Sequence, residues 1–298
     1  RTSVSNALRG IDEFGVMLYR VTGKGYRWIN PVQWLDKHAI SQYLADRSQR
    51  FQITIDEIVE STNTILLNTN KVQNFDQSMI TVVVAELQTK GRGRRGRAWF
   101  SGLGDSLTFS LSWQFQQGVN FLAGLSLAIG VAIIRTFALL GIRDVTLKWP
   151  NDLLFNASKL GGVLIELQGE AQGPATAVIG VGINLVVSDK IKHLVDQDIT
   201  DLYSIAHVSI DRNKLLATLL IEITTVLEIF ANEGFSPFKE EWIGYHAFEA
   251  KEVEVLLPAG WIDRGIVNGI TEEGSLRLPM GSRLKSFHCG EISLRKIN

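Results

Sequence analysis

The 298-residue chain reads as an α+β protein built from three units. Three observations predict this. Residues 1–29 carry helical apolar spacing followed by a hairpin signal. From residue 51 to about 248, short apolar strands alternate with long helical runs, and successive strands lie close in sequence. From 249 to 298 only short strands remain, broken by glycines. Close strand spacing favours a mixed or antiparallel sheet with packed helices over a doubly wound sheet.

In the first unit, residues 1–30, Val4, Leu8, Ile11 and Phe14 recur at helical spacing and Gly15 is placed to end the helix. Residues 16–21 and 26–29 read as strands joined by Thr22-Gly23-Lys24-Gly25. A helix followed by a β-ribbon is the second half of a winged helix-turn-helix. Arg1, Thr2, Ser3, Ser5, Asn6 and Arg9 would then lie on the polar side of a recognition helix. A capping helix and hairpin without a ligand is the plainer alternative. Asn30-Pro31 marks a boundary, and 31–50 read as a polar, helical linker. The central unit, 51–248, has strands at 52–59, 79–87, 107–113, 145–147, 163–167 and 177–183, with helices near 121–140 and 211–233. Residues 186–203 are polar and weakly periodic, and read as a mobile loop. Residues 249–298, with strands near 253–257, 262–270, 275–278 and 292–294, suggest a small SH3-like β-barrel.

Composition narrows the function. Hydrophobic residues make up 45% and charged residues 20%, and the net charge is −1. Any nucleic-acid contact must therefore come from a local patch. The single cysteine, Cys289, allows no intrachain disulfide and fits a reducing compartment. None of the histidines makes a metal-spaced pair with Cys or His, which argues against zinc. The apolar window 121–140 nears the length of a membrane span, but Gly124, Ser126, Gly130 and Arg135 interrupt it. It reads as a buried core helix. With no apolar leader at the start, the expectation is a cytoplasmic protein without membrane contact.

Five segments carry chemistry. Gly91-Arg-Gly-Arg-Arg-Gly-Arg97 follows a buried strand, and Trp99 comes two residues later. Arginine forks match carboxylate and phosphate oxygens, and glycine lets backbone approach a ligand. The run contains G-x-G-x-x-G, but no helix follows and the ribose-binding acid is missing, so a dinucleotide fold does not fit. A Walker loop fails for want of Gly-Lys-Ser/Thr. Taken alone, the run could also be a solvated basic loop or a nucleic-acid arm. Glu60-Ser61-Thr62-Asn63 follows a strand, where the polar triplet caps a helix or offers partners to a ligand. Lys148-Trp149-Pro150-Asn151-Asp152 ends a strand in a turn; Asn151 and Asp152 either serve the turn or bind a nucleotide and its metal. Lys159-Leu160-Gly161-Gly162 enters an apolar strand, its lysine a surface residue or a cation aimed at an anion. Gly180-Val-Gly182-Ile-Asn184 places two glycines inside a strand, which often marks close approach by a ligand or a neighbouring backbone.

These segments, with Gln88 and Gly290-Glu-Ile-Ser-Leu-Arg295, occur in an order that resembles bacterial biotin–protein ligases. The N-terminal unit resembles the bifunctional type that also represses biotin operons. The resemblance covers essentially the whole chain. Single motifs are weak, whereas six in order are specific.

The resemblance implies a class II synthetase-like biotin ligase domain. It implies that Ser61, Thr62, Asn63, Gln88 and Gly162 belong to the biotin pocket. Arg92, Gly93 and Arg94 would belong to the loop closing over biotin and its adenylate. Arg97, Trp99, Asn151, Asp152, Asn184 and Arg295 would bind the adenylate and ATP. Asp152 would also serve Mg²⁺, and Lys159 would contact the biotin carboxylate and the α-phosphate. Lys159, Arg92 and Arg94 are the expected catalytic residues, with Arg1, Thr2, Ser3, Ser5 and Asn6 on DNA. The substrates would be biotin and Mg·ATP, and no tightly bound prosthetic group is expected. The partners would be a biotin carboxyl carrier protein of acetyl-CoA carboxylase and, for a homodimer, a biotin operator. Three departures stand out. Glu60 replaces an expected Asp, Thr89-Lys90 stands where Gln-Ala is common, and Cys289 precedes Gly290 where a second glycine is common. None removes a group the chemistry needs. A lipoate–protein ligase-like enzyme and a ligand-sensing DNA-binding regulator without turnover are the competing readings.

Overall fold

The structure, a computed structural model, describes residues 8, 11–16, 18–28, 32–72, 79–206, 208, 210–256, 262–280, 283–288 and 293–296. In chain order these form a ribbon of β1 (Leu18–Val21) and β2 (Gly25–Trp28), helix α1 (Lys37–Leu44), β3 (Phe51–Val59), α2 (Thr62–Val72), β4 (Ile80–Gln88), and a short hairpin of β5 (Gly91–Arg92) and β6 (Ala98–Trp99). Then come β7 (Ser106–Phe115), α3 (Leu125–Leu139), β8 (Val145–Lys148), β9 (Asp152–Phe155), β10 (Ser158–Gly169) and β11 (Ala175–Asn184). Four helices follow: α4 (Asp189–Leu194), α5 (Leu202–Ile205), α6 (Arg212–Glu233) and α7 (Lys239–Gly244). Strands β12 (Glu252–Leu256), β13 (Ile262–Ile266), β14 (Leu276–Met280), β15 (Arg283–Phe287) and β16 (Ser293–Lys296) close the chain.

The central sheet has seven strands in the order β3-β4-β7-β11-β10-β9-β8. Only β3 and β4, joined through α2, run parallel; every other neighbouring pair is antiparallel. The expected mixed sheet is therefore present. Side-chain alternation gives it two different faces. Phe109, Leu111 and Phe115 of β7 lie in register with Val181, Ile179 and Ala175 of β11, and all six are buried. This apolar face shares one core with α3 and α6. Helix α3 is buried nearly all round, as expected of a helix apolar on every side. Helix α6 is long and apolar enough to cross a membrane by length and composition. Its Leu216, Leu219, Leu220, Ile223, Leu227 and Phe230 are fully buried in the same core, so packing accounts for that composition. Asp211 caps α6 by accepting from the amides of Asn213 and Lys214.

The segment read as a linker packs into the core. Asp36 caps α1 by accepting from the Ala39 amide at 2.7 Å, and Ile40 and Leu44 are buried one turn apart. The Asp36 amide donates to Asn213 Oδ1 at 2.8 Å, and Arg212 Nη1 donates to the Gln33 carbonyl at 2.6 Å. Arg212 also pairs with Glu86 at 2.7 Å, with 1% and 3% of the side chains exposed. The larger apolar residues of this stretch, Val32, Trp34, Leu35, Ile40, Tyr43 and Leu44, are interspersed with polar ones, and Leu35, Ile40 and Leu44 are the ones that enter the core.

Residues 186–203 likewise hold more structure than the mobile loop expected. They contain α4 and the start of α5, and are tied to β10 by Lys159 N to Asp198 O (2.8 Å) and Thr200 N to Lys159 O (2.9 Å). Backbone pairing, invisible in the side-chain pattern, organises the segment.

At the N-terminus the predicted ribbon is formed, with Leu18 opposite Trp28 and Val21 opposite Gly25. Of the preceding helix, a 3₁₀ turn at Ile11–Phe14 is described. Arg1, Thr2, Ser3, Ser5, Asn6 and Arg9 lie outside the described residues. At the C-terminus, β13-β12-β16 form one sheet and β14-β15 a separate ribbon. Among the described residues these do not close into a barrel. Val253, Val255, Leu276, Leu278 and Leu294 join the main core instead.

Candidate active site

The sheet's second face is built from small and polar residues. In β7 the order Ser106-Leu-Thr108-Phe-Ser110-Leu-Ser112 alternates strictly, and the polar set faces away from the core. Registration places Asn184, Gly182 and Gly180 of β11 opposite Ser106, Thr108 and Ser110. Gly162 and Leu164 of β10 lie opposite Gly182 and Gly180, and Asp152 of β9 lies opposite Gly162. The two β11 glycines are required by what sits on them. A Cβ at Gly180 would fall 2.2 Å from Asn63 Oδ1, and one at Gly182 would fall 2.9 Å from the Trp99 ring. They leave the hollow in which the site is formed.

The start of α2 supplies one end of the hollow. Ser61, Thr62 and Asn63 are all at most 4% exposed. The Thr62 amide donates to Gln88 Oε1 at 2.8 Å, and the Thr62 and Ser110 hydroxyls lie 2.6 Å apart. Ser110 Oγ donates to Asn63 Oδ1 at 2.5 Å, and Asn63 Nδ2 donates to Glu166 Oε2 at 2.9 Å. Burial raises the importance of each bond, because an unpaired polar group here would be costly.

The arginine run forms the β5–β6 hairpin above this bed. Gly91 pairs with Trp99 and Arg92 with Ala98. At the tip Arg95 has φ 58 and Gly96 φ 69, so the turn uses the left-handed conformation twice. Arg92 forks onto Glu166 with N···O distances of 2.9 and 2.6 Å. Arg94 Nη1 donates to Asn151 Oδ1 at 3.2 Å. The Trp99 indole lies over Gly182, and its buried Nε1 has no hydrogen-bond partner among the described residues. At the far end Lys159 Nζ pairs with Asp152 Oδ1 at 2.7 Å, with 20% and 16% of the side chains exposed. Asn151 Nδ2 donates to Val163 O, and Asn184 Nδ2 to Thr200 O.

One cavity is therefore lined by Ser61, Thr62, Asn63, Gln88, Arg92, Gly93, Arg94, Arg97, Trp99, Asn151, Asp152, Lys159, Gly162 and Asn184. These are fourteen of the fifteen ligand-site residues expected from sequence. The fifteenth, Arg295 of β16, lies in strand register with Glu254 of β12 and follows Leu294, which does reach the cavity; the Arg295 side chain is outside the described residues. Sequence reading missed Ser110 and Glu166. The alternation of β7 could have disclosed Ser110, and a lone acid in the apolar run of β10 could have disclosed Glu166. It also missed Ile191, Val195 and Ile199, which wall the cavity from the 186–203 segment.

Residues 55–184 match the profile of the biotin/lipoate A/B protein ligase family. Proteins called bifunctional ligase/repressor BirA from Salmonella typhimurium and Escherichia coli are 35% identical over 296 residues, spanning 99% of this chain and 89% of theirs. The chain belongs to the biotin/lipoate A/B protein ligase family. A family member from Mycobacterium tuberculosis, a biotin–[acetyl-CoA-carboxylase] ligase, is 30% identical over 71% of this chain and 77% of its own. The biotin protein ligase of Aquifex aeolicus, solved in complex with biotin and ATP, superimposes with a TM-score of 0.69. That match has 29% identity and covers 83% of this chain and 99% of the other. The fourteen expected residues that line the cavity all fall within the span matched by the ligase family profile.

Proposed function

We propose that the protein activates biotin with ATP and transfers it to a lysine of a biotin carboxyl carrier protein. One observation carries this reading. A buried hydroxyl–amide cluster and a set of cations contribute residues to the lining of the same cavity. The cluster of Thr62, Asn63, Ser110 and Gln88 suits the ureido ring of biotin, which has two N–H donors and a carbonyl acceptor. The dithiolane of lipoate offers no such groups and would leave buried polar atoms unpaired, so the cluster favours biotin. Arg92, Arg94 and Lys159 stand where biotin's carboxylate would meet a nucleotide.

The reaction brings two anions together. The carboxylate oxygen attacks the α-phosphorus of ATP, the α–β phosphoanhydride breaks, and pyrophosphate leaves with that bond's electrons. Lys159 and the hairpin arginines stabilise the charge that builds at phosphorus. A deprotonated acceptor lysine then attacks the acyl carbon of biotinyl-5′-adenylate, and AMP departs. No protein nucleophile is needed in either step. The hairpin excludes water from a mixed anhydride that would otherwise hydrolyse. Arg97 and Trp99 lie towards the adenylate, and Asn151, Asp152, Asn184 and Arg295 serve the nucleotide. Mg²⁺ enters with the nucleotide. Among the described residues no group of three or more His, Cys, Asp or Glu gathers as a metal site. Asp152 alone fits an ion whose other ligands are phosphate oxygens and water.

The formed ribbon and the kinship with ligase/repressors support a second activity, operator binding as a homodimer through Arg1, Thr2, Ser3, Ser5 and Asn6. The C-terminal strands are read as an SH3-like module that closes the ATP end through β16. Incubation with biotin, Mg·ATP and a carrier domain, followed by intact mass, tests the ligase reading. A gain of one biotinyl group is expected. No gain, together with no biotin-dependent ATP–pyrophosphate exchange, would overturn it.

A further inference from the structure

Asn151 and Asp152 sit at the tip of the β8–β9 hairpin, whose outer strand is the edge of the central sheet. Lys148 lies opposite Asp152, so residues 149–151 form the connection and stand outside the strand pairing. One side of this tip is held by β10, since the Val163 amide donates to Asn151 O at 2.9 Å. The other side is held from outside the sheet. Trp149 is 1% exposed, and its indole Nε1 donates to the Gly274 carbonyl at 3.0 Å, across 125 residues. Ser126 Oγ of α3 donates to the next carbonyl, Pro150 O, at 3.0 Å. Gly274 belongs to a tight turn of the C-terminal unit. Its amide donates to Thr271 O at 3.0 Å, and Thr271 N donates to Ser275 O at 2.8 Å. Thr271 Oγ1 accepts from the amides of Glu273 and Ser275, at 3.2 Å each. The turn presses on the start of α3. Gly274 has φ 77, and a Cβ there would fall 2.7 Å from Leu127 Cδ1 and 3.0 Å from Gly124 Cα. Residues 271–275 are all described, and they lie outside the lining of the cavity.

We propose that Trp149 is a positioning residue through which the turn 271–275 sets the nucleotide end of the site. The inference rests on the reading of Asn151 and Asp152 as nucleotide residues. The indole spans the space between the turn and the cavity. Rotation about the bond to an aromatic ring is soft, so a single hydrogen bond decides where the ring lies. A ring fixed at Gly274 fixes the backbone of Trp149, and with it Asn151 two residues on. The cluster suited to biotin is built on other elements: Thr62 and Asn63 on α2, Gln88 on β4 and Ser110 on β7. Loosening the turn should therefore weaken use of the nucleotide and leave biotin binding alone. A residue that merely supported the fold would lower the active fraction, and so kcat, without changing KM.

Two substitutions in the full chain test the link. Trp149→Phe removes the indole donor and keeps an aromatic ring. Thr271→Val loosens the turn with little change of shape and touches no cavity residue. In biotin-dependent ATP–pyrophosphate exchange, Trp149→Phe should raise KM for Mg·ATP about three- to tenfold, the range that one lost hydrogen bond gives. Thr271→Val should raise it in the same direction. The Kd for biotin, measured by calorimetry without nucleotide, should stay within about twofold of wild type in both. The double variant should match Trp149→Phe within about twofold, because the turn acts through the indole. Wild-type KM for ATP in Thr271→Val, multiplied effects in the double variant, or a fall in kcat alone would each overturn the inference. Amide hydrogen exchange in the ligand-free protein reads the same link without activity. The amides of Asn151 and Val163, which donate to Lys148 O and Asn151 O, should exchange faster in both variants. Unchanged protection in both would overturn the inference. If the wild type shows no biotin-dependent pyrophosphate exchange, the ligase reading fails, and the amide measurement still decides whether the turn holds the tip.

Discussion

The substitution Gly180→Ala tests the site where its geometry is tightest. The added methyl would sit 2.2 Å from Asn63 Oδ1, more than 1 Å inside ordinary van der Waals contact. Backbone pairing on both sides holds β11 in place, so the Asn63 side chain must move. It would leave Ser110 (2.5 Å) and Glu166 (2.9 Å), one a neutral bond and the other to a charged acceptor. Such bonds contribute roughly 1 and 2 kcal/mol net. Replacing a strand glycine recovers about 0.5–1 kcal/mol of that. The net loss of stability is about 2 kcal/mol, which lowers the melting temperature by several degrees in a chain of this size. Binding suffers more, because Asn63 can only swing into the hollow that the ligand would fill. The kcat/KM for biotin should fall by roughly 10²-fold or more, at about 1.4 kcal/mol per decade. Biotin-dependent ATP–pyrophosphate exchange measures it, with melting followed in parallel. A variant with wild-type KM for biotin would refute the placement of Asn63 beside the ligand.

Three other outcomes are expected. Lys159→Met should abolish adenylate synthesis while the fold survives, since the ion pair of the lysine with Asp152 is partly exposed; pyrophosphate exchange at the wild-type rate would refute its role. Glu86→Ala should destabilise by about 3–5 kcal/mol in chemical denaturation, because it strands the buried Arg212 guanidinium; a loss under about 1 kcal/mol would contradict the burial. Buried His246 and half-buried Asp105 give opposite pH dependences. Burial, aided by Lys251, lowers the His246 pKa from 6.5 to about 3, so its stabilising effect is present above pH 6.5 and is lost as pH falls towards 3. Burial raises Asp105 from 3.8 to about 6 despite Arg212, so its contribution is present below pH 3.8 and is lost as pH rises through 6. Melting temperature against pH should therefore fall less steeply on acidification in His246→Gln, and more steeply in Asp105→Asn, than in wild type. Parallel curves would count against both assignments.

The sequence by itself determined the classes of element and the chemistry of the site. Short apolar strand runs in β4, β7 and β11 marked the sheet, and the long apolar window 121–140 marked α3. The motif segments, read with the resemblance they carry, named fourteen residues that line one cavity. Such signals are legible because they sit in consecutive residues, where side-chain period and turn chemistry act locally. Only the tertiary structure decided which segments meet. Glu166 joins Asn63 and Arg92 across 103 and 74 residues, and Arg212 joins Glu86 across 126. Residues 31–50 read as a linker until α1 was seen to pack on the core through Ile40 and Leu44, and residues 186–203 read as a loop until pairing with Lys159 gave them a place. The physical reason is the same in each case. Strand order and backbone pairing set the partners of a buried polar group, and neither leaves a periodic trace in the chain.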